Sequence, residues 1–121
     1  MLYLIIEVHD PSYKEDIYLA LQSIGVVRAT SIDGQNISAA LTDEFTFFTG
    51  FFQSDKIEQG HVLFILAQVR TREQVREFLS NLREADVKID TEDILTVTAV
   101  PAAVTFSSAL GFSEGEADGD Q

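Results

Sequence analysis

At 121 residues the chain has room for one domain and a tail, but not for two separate cores. Its formal net charge of −12 argues against nucleic acid or an anionic membrane surface as a partner, because both bind clusters of Lys and Arg. The chain has no Cys and therefore no disulfide framework. It also lacks a long apolar run, so we expect no membrane insertion and a cytoplasmic protein.

The first half of the chain predicts a strand, a helix and a second strand. Residues 1–8 are apolar and form the first strand. Asp10 is expected to cap the helix that follows, and Gly25 is expected to end it, because these residue types favour the two ends of helices. A second strand is predicted over residues 26–32, closed by a turn at the Asp-Gly pair 33–34.

The second half repeats this order of elements. Residues 61–69 are apolar almost throughout and predict a third strand. Thr71 and Gln74 fit a capping box, which opens a second helix. A polar connection over residues 86–93 leads to a fourth strand over residues 94–100.

Taken together, these elements predict an α+β fold. We expect a ferredoxin-like βαββαβ plait over residues 1–106, with a four-stranded antiparallel sheet, both helices on one face and a helical insert between strands 2 and 3. Residues 107–121 contain four acids, three Gly and no basic residue. They are expected to form an acidic, disordered tail.

Strands 1 and 3, the expected central pair of the sheet, are apolar on both faces. A second apolar face left in water would form a patch on the order of several hundred Å², a size that marks interfaces. We therefore expect a homo-oligomer packed through its sheets, with Ile5 and Leu63 facing its interior. These two strands are also expected to run parallel. That arrangement would hold His9 and His61 more than roughly 20 Å apart and exclude a shared metal site.

The layout resembles the PII-like signalling proteins. Three stretches carry the resemblance: the helix end at Gly25-Val26-Val27, the turn at Gly34 that opens a long excursion, and the apolar stretch 94–104. The resemblance implies a non-catalytic regulatory protein that forms a homotrimer and senses a small molecule or contacts a partner enzyme or transporter.

The ligand chemistry of that family is not expected to carry over. Typical members bind ATP or ADP between subunits, through a Gly- and Lys-rich loop before the last strand and Arg residues after it. Here residues 88–93 contain three acids, one Lys and no Gly, and no Arg follows the strand. We expect no nucleotide and no other cofactor. The candidate ligand-binding residues are Gly34, Gln35 and Asn36, where a turn would leave backbone groups free.

The excursion contains five Phe within eight residues. At 100° per residue they fall in an arc of about 160°, which predicts a short amphipathic helix over residues 43–54. The helix packs on its own trimer in one interpretation and docks a partner protein in the other. The candidate partner-binding residues are Phe45, Phe47, Phe48, Phe51 and Phe52.

No catalytic motif and no cluster of metal-ligating residues is present in the sequence, so we expect neither an enzyme nor a metal site. Two alternatives share the predicted order of elements. One is a dimeric α/β-barrel monooxygenase-like enzyme, and the other is an ACT-like or CutA-like module that binds a small ligand. The number of subunits distinguishes the dimeric barrel from the trimers.

Overall fold

The computed structural model describes residues 1–26, 28–37 and 60–115. The predicted helical insert, with its five Phe, lies outside these residues. Within them, four strands form one antiparallel sheet in the order β2-β3-β1-β4, and two more strands form a separate hairpin. The elements in chain order are β1 Leu2–Val8, α1 Lys14–Ser23, β2 Ala29–Gln35, β3 His61–Val69, α2 Arg72–Glu84, β4 Leu95–Pro101, β5 Val104–Ser107 and β6 Gly111–Glu114. This α+β arrangement, with two helices on a four-stranded antiparallel sheet, is compatible with a ferredoxin-like fold.

The first helix ends where the sequence predicts, but it begins later, at Lys14, because Asp10 caps a short turn before it. Asp10 Oδ1 accepts hydrogen bonds from the backbone N–H and the hydroxyl of Ser12, at 3.1 and 2.6 Å. A single 3₁₀ turn, Pro11–Tyr13, leads from this cap into α1. Gly25 has a φ of +93°, a left-handed conformation that glycine adopts without a Cβ penalty, and it ends the helix.

The capping box of the second helix is also confirmed. Gln74 N–H donates to Thr71 Oγ1, while Gln74 Oε1 accepts from the N–H groups of Thr71 and Arg70. The side-chain amide of Gln74 donates to the Ile24 carbonyl at 3.1 Å. One residue therefore caps α2 and ties its start to the end of α1.

The hydrophobic core lies between the helices and one face of the sheet. Residues of β1 that point to this face are Leu2, Leu4, Ile6 and Val8, and they pack with Phe78 and Leu82 of α2 and with Ile17 and Leu21 of α1. Val87 and Ile94 also belong to this core, at 3% and 1% exposure. The segment predicted as a purely polar connection therefore contributes a buried Val87.

The expectation of parallel strands 1 and 3 is wrong. β1 pairs with β3 in antiparallel register, with Val8 opposite Leu63. His9 follows β1 and His61 begins β3, so both histidines lie at the same end of the sheet. The register also places Leu63 on the helix-facing side, where it is 6% exposed in the core. Leu63 therefore does not share the outer face with Ile5.

Two further boundaries differ from the sequence prediction. β2 begins at Ala29 and continues to Gln35, so the Asp33-Gly34 pair lies inside the strand and not in a turn. Disorder was expected from residue 107, whereas β5 includes Ser107 and β6 spans Gly111–Glu114. In both segments, pairing with a strand that is distant or not predicted extends the strand structure. Hydrogen bonds between paired strands satisfy backbone groups that water would otherwise satisfy in a loop.

Candidate functional site

The outer face of the sheet, opposite the helices, is apolar over its centre. Ile5 stands opposite Leu66 on one side and Thr98 on the other, in one row across three strands. The next row places Ile32 opposite Phe64. The apolar residues of this face, called here the outer sheet face, are Tyr3, Ile5, Ile32, Val62, Phe64, Leu66 and Val100.

Three residues of the outer sheet face have clearly exposed side chains. Tyr3 is 36% exposed, Val100 is 43% exposed and Ile32 is 48% exposed. The buried residues of α1 and α2 pack against the opposite side of the sheet. Neither helix therefore covers the outer sheet face, which confirms that the central strands are apolar on both sides.

A small polar cluster lies beside the outer sheet face, where β1 ends. His9 Nε2 is 2.9 Å from Thr96 Oγ1 and 4.0 Å from carboxylate oxygens of Glu7 and of Asp93. The His9 backbone N–H donates to the Ile94 carbonyl at 2.7 Å. In the described ranges, no group of three or more His, Asp or Glu residues is arranged to hold a metal ion. The cluster joins the end of β1 to the start of β4.

The three candidate ligand-binding residues lie where β2 ends. Gly34 and Gln35 are paired with Val62 and His61 of β3, and Asn36 N–H donates to the Gly60 carbonyl at 2.7 Å. Gly34 and Gln35 therefore belong to the edge strand β2 and not to a turn, and Asn36 directly follows it. The hypothesis itself stays a prediction.

Gly34 is required by its neighbour on β3. A Cβ at this position would lie 2.7 Å from Cε2 of Phe64, a distance that real Cβ atoms do not show. The aromatic ring lies over the glycine of an edge strand, an arrangement that pins strand register. Gly34 thus has a packing role that the turn interpretation did not foresee.

A cleft of about 510 Å³ lies between α1 and the edge strand β2. It exists because the helix layer leaves the inward-facing residues Ala29 and Ser31 of β2 exposed. None of the described residues that line this cleft is charged. Its lining residues are Tyr18, Leu21, Gln22, Val26, Ala29, Thr30, Ser31 and Ile65.

The C-terminal hairpin of β5 and β6 presents a second unpartnered apolar surface. Phe106 stands opposite Phe112, and Val104 lies on the same face of the hairpin. Their exposures are 70%, 64% and 55%. The sequence predicts no hairpin here, although apolar and polar residues alternate along β5.

Two basic side chains bind acids of the loop before β4: Arg83 of α2 and Lys88 of the loop itself. Arg83 binds Asp90 through two hydrogen bonds, Nε to Oδ2 at 2.7 Å and a second guanidinium N–H to Oδ1 at 3.1 Å. The hydrogen bond from Arg83 holds the pKa of Asp90 below its ordinary value. Lys88, the lysine of this loop, donates to Asp86 at 2.9 Å. Among the described residues, neither Glu92 nor Asp93 is hydrogen-bonded to a Lys or Arg side chain, and His9 Nε2 lies 4.0 Å from Asp93.

Comparison with known proteins adds no relative to this description. No family model matches the chain, and a search of curated proteins gives no match. Over the described ranges, no helix is both long enough and apolar enough to cross a membrane. The five Phe assigned to partner binding lie outside the described residues.

Proposed function

We propose that the protein is a non-catalytic, PII-like regulatory protein of the cytoplasm. It has a ferredoxin-like βαββαβ plait and assembles as a homotrimer through the outer sheet face. In this proposal its output is the binding of a small molecule or a partner enzyme or transporter. The observation that supports it is the apolar outer sheet face on the central strands β1 and β3, which neither described helix covers.

Apolar burial at the outer sheet face favours self-association, and the net charge of the protein opposes it. Burying apolar area contributes about 25 cal/mol per Å², so a self-associating face of several hundred Å² per subunit is a strong driving force. A net charge of −12 opposes association, because like-charged copies repel each other. Glu7 is the one acidic side chain of β1 on this face, and it lies at the end of the strand, near His9. The centre of the face is free of charge.

The mass of the protein in solution tests the assembly. Each chain is 13.4 kDa, so light scattering should report three times that mass. A dimer would favour the α/β-barrel alternative, and a stable, monodisperse monomer would overturn the proposal. Raising the salt concentration should strengthen assembly, because it screens repulsion between the acidic copies.

A variant pair separates loss of assembly from loss of folding. Ile5→Asp places a charge in the centre of the outer sheet face. The variant should be folded by circular dichroism and monomeric by light scattering. Leu19→Asp is the matched control, because Leu19 is 63% exposed on α1 and belongs to neither apolar surface. The control should keep the wild-type mass.

A further inference from the structure

The C-terminal hairpin of β5 and β6 has exposed apolar side chains on one face, as expected of an element that packs against another surface. Val104, Phe106 and Phe112 share one face with Glu114, which stands opposite Val104 at the base of the hairpin, while Thr105 and Ser113 share the other face. An isolated two-stranded hairpin is marginally stable in water and needs packing to persist. Among the strands that the structure describes, β5 and β6 pair with each other and not with the main sheet. The apolar face therefore lacks the cover that its pattern requires.

The hairpin is attached firmly at its base. Ala102 N–H donates to the Met1 carbonyl at 3.0 Å, and Gly115 N–H donates to the Ala103 carbonyl at 2.9 Å. The first of these bonds extends the pairing of β4 with β1 by one residue. The hairpin therefore leaves the sheet at the β4 edge, beside the start of β1.

The cleft between α1 and β2 lies at the other edge of the same sheet. The strand order places β3 and β1 between β2 and β4, a separation of about 14 Å at ~4.8 Å per strand. Ala29 of the cleft belongs to the row of Leu4 and Ala99, two residues from the row of Leu2 and Pro101 where the hairpin departs. Cleft and hairpin therefore lie near the same end of the strands, but at opposite edges.

Cyclic symmetry brings these two edges together. In a ring of identical subunits each contact is heterologous, so one edge of a subunit faces the opposite edge of the next. If the outer sheet faces line the centre of the ring, the β4 edge of one copy adjoins the β2 edge of its neighbour. A hairpin that leaves β4 then reaches the neighbour's cleft.

We propose that the C-terminal hairpin is an intersubunit arm, whose Val104, Phe106 and Phe112 face packs into the cleft between α1 and β2 of a second copy of this chain. The proposal rests on the homotrimer proposed above. Each copy supplies one arm and one cleft, so a closed ring leaves neither surface unpartnered.

The chemistry of the two surfaces fits this pairing. The described residues that line the cleft are uncharged, and so are the three apolar hairpin residues. Glu114 is on the same hairpin face, but it stands opposite Val104 at the base and is separated from the Phe pair by one residue. Contact through uncharged side chains limits the repulsion between two copies that each carry a net charge of −12. Two Phe side chains bury about 300–500 Å² in all. That is a large part of the roughly 800 Å² per partner in a typical stable interface.

Cross-linking between differently substituted chains tests the contact directly. The protein has no Cys, so introduced thiols are the only ones present. A Val104→Cys chain is mixed with a tagged Ala29→Cys chain and treated with a short thiol-reactive linker. We expect a covalent product that contains both chains. Ser113→Cys, on the polar face of the hairpin, is the matched control and should give little of this product.

A second experiment measures the energetic contribution. Phe106→Ser with Phe112→Ser should weaken assembly at least ten-fold on dilution. The fold should survive, because both side chains are exposed in the single subunit. Thr105→Ala with Ser113→Ala changes the polar face and should leave the assembly unaltered.

The outcomes separate the two proposals. A monomeric wild-type protein overturns both the homotrimer and the arm. An assembled wild type overturns the arm alone if the Phe variant assembles equally well, or if the Ser113→Cys chain cross-links as readily as the Val104→Cys chain. In that case the cleft is left for a small molecule and the hairpin for a different protein.

Discussion

Ile5 and Leu66 stand directly opposite each other in the antiparallel ladder of β1 and β3, on the side of the sheet away from the helices. Leu63, three residues earlier on β3, points to the opposite side and is buried in the core. The same substitution at these two leucines should therefore have different consequences. Leu66→Asp should yield a folded monomer, whereas Leu63→Asp should unfold the subunit, because it buries an unpaired charge.

Circular dichroism melting and light scattering, run on both leucine variants, check this prediction. Loss of folding in both variants would mean that the outer sheet face is part of the subunit's own core. Retention of the wild-type mass by a folded Leu66→Asp protein would count against assembly through this face.

The contact between Gly34 and Phe64 makes a second prediction. Gly34→Ala places a methyl group against the Phe64 ring and should reduce the free energy of unfolding by about 1–3 kcal/mol. Truncating the ring should relieve the overlap, so Gly34→Ala should cost much less in a Phe64→Leu background. Urea denaturation of the four proteins measures this coupling. Additive effects would show that the ring does not restrict position 34.

The capping box at the start of α2 gives a third prediction. Thr71→Ala removes the acceptor for Gln74 N–H and should cost about 0.5–2 kcal/mol of stability. Thr71→Ser keeps a hydroxyl at the same position and is the matched control. Equal urea midpoints for wild type and Thr71→Ala would show that water replaces the cap without loss.

The pair of Arg83 and Asp90 predicts a pH dependence. The hydrogen bond from Arg83 lowers the pKa of Asp90 from its ordinary value of 3.8, so the ionised carboxylate binds more favourably in the folded state. Its stabilising contribution is present above pH 3.8 and is lost as the pH falls through the lower folded-state pKa. Asp90→Asn should therefore lower the Tm slightly at pH 7, and the difference should close in acid.

Thermal melts of wild type and Asp90→Asn across this pH range test the linkage. The effect is expected to be small, because both side chains are at least half exposed and solvent screens the pair. An Asp90→Asn difference that grows as the pH falls would contradict the assigned direction.

The loop before β4 also predicts poor nucleotide binding. A triphosphate at this loop would meet Glu92 and Asp93, while Lys88 is engaged by Asp86. Calorimetric titration with ATP or ADP should give no micromolar binding. A micromolar dissociation constant would show that cations outside this loop reach the phosphates.

Local signals in the sequence determined the turn that leads into α1, the end of α1 and the start of α2. Asp10, Gly25 and Thr71 act through hydrogen bonds or backbone conformations that involve only their neighbours within four residues. Such short-range interactions can be predicted from the residue types and their spacing alone. The central position of strands 1 and 3 also followed from the predicted order of elements, because a ferredoxin-like plait places these two strands in the middle of its sheet.

Only the tertiary structure decided which residues share a surface. The face of Leu63 depends on the register of β3 against β1, and a shift of one residue reverses every side chain. The extension of β2 to Gln35 likewise depends on pairing with His61, 26 residues further along the chain. Long-range pairing of this kind has no local signature. It placed Ile5 beside Leu66 on the outer sheet face. It also placed the C-terminal hairpin and the cleft at opposite edges of the sheet, so that the hairpin of one copy is proposed to fill the cleft of another.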